Sequence, residues 1–214
     1  MNAAATDPGS PPPGVHVRRA EPGDLDELMA LEHEVFADDP WPTEAMRSEL
    51  ASPHTFYLVA ERDGAREVAG PPAVAGAGRS GGAGPVGAEV VGTVPPLPPS
   101  GSASASASHI VGYAGLSAPS SAEQGDVQNI AVVAELRGAG LGRHLLRRLV
   151  AEAERRGLSD VLLEVRIDNS VAQSLYAAEG FEQIAIRPRY YRGAIDAVIM
   201  RKQLAVDPTE EASP

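Results

Sequence analysis

Three glycines stand at alternate positions in the segment RGAGLG, residues 137–142, between two strongly patterned stretches. The preceding residues, DVQNIAVV, have the β-branched and apolar content of a strand, and the following residues place leucines at helical spacing. Glycine lets other atoms approach the backbone closely. A helix start adds free amide groups and the positive end of the helix dipole. The segment therefore predicts an anion site between a strand and a helix, best suited to phosphate.

The spacing of the glycines excludes two familiar phosphate-binding motifs. A P-loop ends in Gly-Lys-Ser or Gly-Lys-Thr, but Gly142 is followed by Arg143 and His144. A dinucleotide-binding turn has the pattern Gly-x-Gly-x-x-Gly within a series of βαβ units, whereas these glycines simply alternate. From the turn alone, a cofactor cradle and a plain tight turn are equally good interpretations.

The amino-acid composition of the chain excludes several kinds of functional site. The chain of 214 residues has no cysteine, which excludes disulfides, thiolate metal ligands and a cysteine nucleophile. Its five histidines are scattered without ligand spacing, so no metal site is expected. The formal net charge of −11 argues against binding to a nucleic-acid backbone. Acidic residues are dense between Glu21 and Glu49, where they would form a solvated surface or attract a basic protein partner.

The chain is expected to form one domain over residues 15–204, between disordered tails at 1–14 and 205–214. A flexible low-complexity insertion of Gly, Pro, Ala and Ser, at about 65–109, interrupts this domain, because its composition buries too little apolar area to fold. No stretch reaches the ~20 apolar residues that a membrane helix needs, and no secretory signal pattern stands at the N-terminus. A cytoplasmic location without membrane binding is therefore expected.

Hydrophobic periodicity predicts eleven elements in the order β-α-α-β-β-β-α-β-α-β-β. The helix after the glycine turn is predicted over Leu141–Arg156, and a shorter one over Ser170–Glu179. The order mixes a parallel crossover with antiparallel hairpins. It indicates an α/β (α+β) fold with a mixed central sheet of about seven strands flanked by helices.

Helix starts are predicted from residues that cap free amides. Asp24 with Glu27 fits a capping box for the first helix, and Thr43 is the expected cap of the second. Asp168 or Asn169 would cap the short helix near the C-terminal end. These assignments rest on local residue type alone.

Two side chains in the C-terminal half of the domain are candidates for catalysis. Glu164 interrupts the apolar strand VLLEV, where a buried carboxylate would be costly without a partner or a purpose. The strand by itself equally allows Glu164 to face solvent. Tyr176 lies twelve positions later on the short helix, where a core side chain is the usual role of an inward-facing tyrosine.

Taken together, these segments resemble the GNAT acetyltransferase superfamily. RGAGLG fits the Arg/Gln-x-x-Gly-x-Gly/Ala signature for acetyl-CoA, and the likeness covers Val15–Leu204 apart from the insertion. The segments DDPWP, NIAV, LEVRIDNSVAQSLYAAEGF and RYYRGAIDAVIM are similar to the RimI-type members, which acetylate the N-terminal alanine of a small-subunit ribosomal protein. The resemblance implies a GNAT fold splayed around the acetyl-CoA site, with acetyl-CoA as acetyl donor and no metal.

The resemblance also implies a role for individual residues. It assigns the pantetheine arm of the cofactor to Ile130, Ala131 and Val132. It assigns the pyrophosphate and neighbouring contacts to Arg137, Gly138, Ala139, Gly140, Leu141, Gly142, Arg143 and Asn169, with backbone amides as the chief donors at the turn. Glu164 matches the base that takes the acceptor's proton, directly or through a water, and Tyr176 matches the acid that protonates the leaving thiolate.

The sequence identifies the acceptor amine less closely than it identifies the type of reaction. A RimI-type enzyme would act on a protein N-terminus, here of a basic ribosomal protein, and Tyr190 and Tyr191 would shape its groove or pack as aromatic core. The alternatives are another amine, such as a protein lysine, a polyamine or an aminoglycoside, or a non-catalytic acyl-CoA-binding module. Retention of both Glu164 and Tyr176 favours an enzyme. The long insertion departs from the family's short hairpin and leaves the identity of the acceptor open.

Overall fold

The computed structural model describes residues 10–37, 39–64, 108–191 and 194–205. Its main elements are β1 Val15–Arg19, α1 Leu25–Val35, α2 Thr43–Ala51, β2 Thr55–Asp63, β3 Ser108–Ser117, β4 Gln124–Val132, α3 Leu141–Arg155, β5 Asp160–Arg166, α4 Ser170–Ala178, β6 Glu182–Tyr191 and β7 Ile195–Gln203. Short 3₁₀ turns precede α1 and the glycine turn, at Pro22–Asp24 and Ala134–Leu136. The predicted order of the elements is confirmed.

The strands form one mixed sheet in the order β1-β2-β3-β4-β5-β7-β6. β4 and β5 run parallel, and their pairing joins Gln124–Val127 to Asp160–Leu163. Beyond Val127, β4 continues to Val132 alongside β3. A bulge at Gln128, between the pairs made by Val127 and Asn129, bends β4 at this point. The sheet therefore splays where β4 and β5 separate, which confirms the predicted GNAT fold.

Helices cover both faces of the sheet. α3 packs on the face to which Gly112 is turned, since a Cβ on Gly112 would lie 3.3 Å from Leu141 Cδ2. α1 packs on the opposite face, where the Tyr113 hydroxyl donates to Glu32. The apolar α3 residues expected to face the core are all buried: Leu141, Leu145, Leu146, Leu149, Val150 and Ala153. Among the described residues, none of the helices has the length and apolar composition to cross a membrane.

The start of α1 differs from its prediction. The capping box lies one turn earlier than expected, because Pro22 begins a 3₁₀ turn in which Glu21 N donates to Asp24 Oδ2 at 2.7 Å. Glu27, the predicted second member of the box, accepts instead from Ile110 N of β3 at 3.1 Å. A hydrogen bond to a distant strand thus takes the place of the capping hydrogen bond predicted for Glu27.

The predicted cap of α2 is also wrong by one residue. Thr43 is the first residue of the helix, and Pro42 occupies the N-cap position with an extended backbone. Proline provides no side-chain acceptor there, and its ring restricts φ to values compatible with a helix entry. The helix therefore starts without the side-chain hydrogen bond that Thr43 was expected to supply.

The two strands that flank the insertion are neighbours, as the hairpin interpretation requires. β2 and β3 pair antiparallel, and Asp63 and Arg62 lie opposite Ser108 and His109. Because of this pairing β3 begins inside the range of 65–109 assigned to the insertion. Residues 1–9, 65–107 and 206–214 lie outside the described part of the chain, and the disorder expected there stays a prediction.

Candidate active site

The glycine turn has the backbone conformation of an anion cradle. Gly138 and Gly140 have φ of 76° and 91°, and nothing lies within 4 Å of the place that a Cβ would take. Gly140 is the N-cap of α3. In the described part of the chain, the first amide of this helix to reach a backbone carbonyl is that of His144, which donates to Gly140 O at 3.0 Å. The three earlier amides of the helix, those of Leu141, Gly142 and Arg143, are available to an anion.

The two arginine side chains of the turn are engaged with the protein. Arg137 Nε donates to Val132 O, at the end of β4, at 3.2 Å. Arg143 Nε lies 3.0 Å from Glu179 Oε1 in an ion pair that lacks hydrogen-bond geometry. Backbone amides are therefore better placed than these guanidinium groups to serve as donors at the turn. This arrangement fits the pyrophosphate of acetyl-CoA.

The end of β4 presents an open strand edge to the gap. Ile130, Ala131 and Val132 pair with β3 on one side, and β5 has already diverged on the other. Residues of a strand direct their backbone groups alternately to its two edges. An extended ligand that contains amide groups could pair with this edge as an added strand does. The pantetheine arm of acetyl-CoA is such a ligand.

Glu164 lies at the mouth of the gap. It is the first β5 residue beyond Leu163, which makes the last pair with β4. Leu163 and Val165 are buried on one face of the sheet, while the Glu164 side chain is 28% exposed on the other. Asp126 of β4 lies opposite Leu162, on the same face of the sheet as Glu164, and burial and then the charge of Glu164 raise the pKa of Asp126. The carboxylate is thus neither a core group nor a fully solvated one.

Three residues of β6 hold Glu164. Arg187 Nη1 donates to Glu164 Oε1 at 2.9 Å. A hydrogen bond to the same carboxylate raises the pKa of Tyr190. The Tyr191 hydroxyl donates to the backbone oxygen of Glu164 at 3.3 Å. The sequence had singled out the two tyrosines but not Arg187, whose only signal was its place in the basic, aromatic run IRPRYYR.

Tyr176 projects from α4 and is partly buried against the core. Its ring centroid lies 6.1 Å from that of Phe181. Burial raises the pKa of Tyr176 to about 12, so its hydroxyl keeps its proton at neutral pH. Burial raises the pKa of Tyr191 to about 12, and the charges of Glu164 and Tyr176 contribute to that shift. Tyr191 thus interacts electrostatically with both candidates, and its hydroxyl contacts the backbone of Glu164.

Asn169 caps α4, as one of the two alternatives predicted. Its Oδ1 accepts from Ala172 N at 3.1 Å. The amide nitrogen of the same side chain can still donate to another group, because an asparagine side chain has separate donor and acceptor atoms. Capping and a cofactor contact are therefore compatible, and the contact itself stays a prediction.

A second polar cluster lies between α1 and the sheet beside the gap. Glu32 is 1% exposed and accepts from Trp41 N at 2.8 Å and from the Tyr113 hydroxyl. Asn129 Nδ2 donates to Tyr113 Oη at 2.9 Å, which links the cluster to β4 directly after its bulge. These hydrogen bonds hold the segment after α1 against the sheet. Within the described residues no group of His, Asp or Glu is arranged to hold a metal ion.

Comparisons with known sequences find acetyltransferases. The model of the acetyltransferase (GNAT) family matches residues 98–181. N-alpha-acetyltransferase RimI of Mycobacterium tuberculosis is 34% identical over 183 residues, which cover 84% of this chain and 86% of that protein. The ribosomal protein bS18-alanine N-acetyltransferase of Escherichia coli is 45% identical over 75 residues, which cover 34% of this chain and 51% of that protein.

Solved structures share the fold at lower sequence identity. The ribosomal-protein-S18-alanine N-acetyltransferase of Escherichia coli has a TM-score of 0.63 and 21% identity, covering 93% of this chain and 99% of that one. Arabidopsis thaliana NAA60 in complex with acetyl-CoA has a TM-score of 0.63 and 15% identity, covering 89% and 98%. These likenesses show a common architecture around the splayed strands.

Proposed function

Since the chain belongs to the GNAT acetyltransferase family, we propose that it is an N-alpha-acetyltransferase that modifies the N-terminal alanine of a ribosomal protein. The observation that carries the proposal is the position of Glu164, at the point where β4 and β5 separate. The open edge of β4 leads from this point to the glycine turn. The carboxylate that would accept the proton thus lies at one end of the gap between the strands, and the glycine turn that would hold the anion lies at the other.

The chain's own groups suit each part of the donor. The open edge at Ile130, Ala131 and Val132 would hold the pantetheine arm, and the turn from Arg137 to Arg143 would hold the pyrophosphate, chiefly through the amides at the start of α3, since those of Arg137 and Ala139 already donate to Ala134 O and Leu136 O. Asn169 would add a side-chain donor while it caps α4. Acetyl-CoA, when bound, supplies an acetyl group activated as a thioester.

Glu164 would prepare the acceptor amine. A protonated amine has no lone pair with which to attack, so a base must first remove a proton. Glu164 is a partly exposed carboxylate, and an amine that enters the gap can reach it directly or through a water. Its contacts with β6 fix where that proton is taken.

Tyr176 would assist departure of the sulfur. Its hydroxyl keeps its proton at neutral pH, because burial raises its pKa to about 12. It can therefore donate to the sulfur atom as negative charge develops there. Glu164 on β5 and Tyr176 on α4 would thus serve the two ends of the reaction.

The acceptor is proposed from the relatives together with the surface charge of this chain. Asp26, Glu34 and Asp39 are exposed on or just after α1, and their charges would attract a basic polypeptide. Asp38, part of the same acidic stretch, lies outside the described residues. A ribosomal-protein acceptor would be met in the cytoplasm.

A panel of acceptors tests this proposal. Initial rates with acetyl-CoA would be measured for one basic peptide that begins with Ala, Ser, Met or N-acetyl-Ala, and for a polyamine and an aminoglycoside. We expect the Ala peptide to react fastest and the N-acetyl peptide to be inert. A polyamine or an aminoglycoside that reacts faster than every free peptide would refute the proposed acceptor class.

A further inference from the structure

Arg187 reaches Glu164 across an intervening strand. Glu164 lies opposite Ile199 of β7, and Arg187 lies opposite Ala197 on the other side of that strand. The guanidinium therefore spans β7 to place Nη1 2.9 Å from Glu164 Oε1. One oxygen of the carboxylate is engaged from the side of the sheet that lies away from β4.

The guanidinium is itself held in place. It lies 4.6 Å from the centroid of the Tyr190 ring, within the range of a cation–π contact. Tyr190 also interacts with Glu164, because that carboxylate raises the pKa of Tyr190. The three side chains form one set of contacts, in which Arg187 touches both the carboxylate and the Tyr190 ring.

This set contributes little to holding the fold together. The side chains of Arg187 and Glu164 are 56% and 28% exposed, and exposed ion pairs stabilise proteins only weakly. Its geometry matters more for the carboxylate, because Asp126 of β4, opposite Leu162, lies on the same face of the sheet as Glu164 and carries a group of the same charge sign. A cation on the β6 side counteracts the repulsion that would turn the carboxylate away from β4.

We propose that Arg187 is a positioning residue that holds the Glu164 carboxylate by Oε1 and so keeps it directed toward the gap, where the acceptor amine would enter. The inference rests on the proposed role of Glu164 as base. Loss of the guanidinium frees the carboxylate to adopt other rotamers, and turnover falls although acetyl-CoA still binds. The charge alone is insufficient, because a lysine at this position has no planar group to lie on Tyr190.

The first test compares substitutions at two arginines of β6. With an Ala-starting basic peptide, R187Q should lower kcat about tenfold and leave the KM for acetyl-CoA within about twofold. R187K should recover part of that loss. R189Q is the matched control, because Arg189 is exposed on the same strand and its loss changes the net charge equally. An R187Q enzyme with wild-type kcat, or an equal loss in R189Q, would overturn the inference.

A double-mutant cycle with E164Q separates this inference from the role of Glu164. If Arg187 acts through Glu164, R187Q should lower kcat no further in the E164Q background. An equal loss in both backgrounds would show that Arg187 acts elsewhere, and the base assignment would stand. Wild-type turnover by E164Q would instead refute the base, and its positioning residue with it.

Discussion

Val127 of β4 lies opposite Leu163 of β5, and this pair is the last at which the two strands run side by side. Beyond it β4 bends at a bulge and follows β3, and the next residue on β5 is Glu164. The separation of the strands opens a groove in the middle of the sheet. The same separation brings a carboxylate to the mouth of that groove.

The first prediction concerns this carboxylate. Glu164→Gln keeps the size of the side chain but removes its ability to take a proton, so kcat should fall by about 100-fold or more. Binding of acetyl-CoA, measured by calorimetry, should change by less than about twofold. Glu182→Gln, at an exposed position on β6, is the control and should turn over normally. Normal turnover by E164Q would remove Glu164 from the mechanism.

The second prediction concerns the phenol on α4. Tyr176→Phe keeps the ring that packs against the core and removes the proton donor. We expect kcat to fall roughly tenfold or more while the midpoint of thermal unfolding stays nearly constant. Tyr57→Phe is the control, because that hydroxyl is buried without a hydrogen-bond partner among the described residues. A similar loss of kcat in both variants would argue against Tyr176 as the acid.

The third prediction separates the fold from the cradle at the glycine turn. Gly142 is helical, and a Cβ there would lie 3.9 Å from Leu175 Cδ2, an ordinary contact. Gly142→Ala should therefore stabilise the protein by about 0.5 kcal/mol and leave acetyl-CoA affinity within about twofold, because the acetyl-CoA signature accepts alanine at this position. Gly140→Ala should lower both stability and acetyl-CoA affinity, because its φ of 91° is strained for alanine and the turn must change shape to relieve that strain. Unchanged affinity in G140A would contradict the cradle.

The fourth prediction concerns stability at low pH. Hydrogen bonds from Arg155 and Arg156 lower the pKa of Glu152 to about 2, although burial opposes them. Arg156 also donates to Ala118 O at 3.1 Å, which ties the end of α3 to the end of β3. The unfolded chain has the ordinary glutamate pKa of about 4.5, so the native state is favoured fully above that pH. This contribution is lost as the pH falls from about 4.5 to about 2.

Glu152→Gln tests that contribution. Its free energy of unfolding in urea should lie below that of the wild type by roughly 2–3 kcal/mol at pH 7, and the difference should narrow at pH 3. Glu154→Gln, exposed on the same helix, should show neither effect. A difference that is the same at pH 7 and at pH 3 would exclude the ionised carboxylate as its source.

Local sequence patterns predicted the elements well because each depends on neighbouring residues. The apolar residues of α3 repeat at helical spacing, and all six expected to face the core, four of them leucines, are buried. Asn169 caps α4 because its side chain needs only an amide three residues away. The prediction of Glu27 as a capping residue is wrong, because its carboxylate accepts a hydrogen bond from a β3 amide that is distant in the sequence.

The contacts around Glu164 depend on strand order, which local patterns do not contain. β7 lies between β5 and β6, although β6 comes first in the chain. Only this order brings Arg187 within reach of Glu164. The contact between Glu32 and Tyr113 also could not be predicted from local patterns, because it joins α1 to a strand residue 81 positions later. The sequence could thus single out Glu164 as the candidate base, but not the groups that contact it.

The most direct test of the account is the position of the acetyl group on one product. A basic peptide with an N-terminal alanine and an internal lysine would be incubated with the protein and acetyl-CoA, and the product fragmented in a mass spectrometer. The account predicts that the acetyl group lies on the α-amine of alanine and that E164Q forms this product at least about 100-fold more slowly. Acetylation of the lysine side chain, with the α-amine left free, would contradict it.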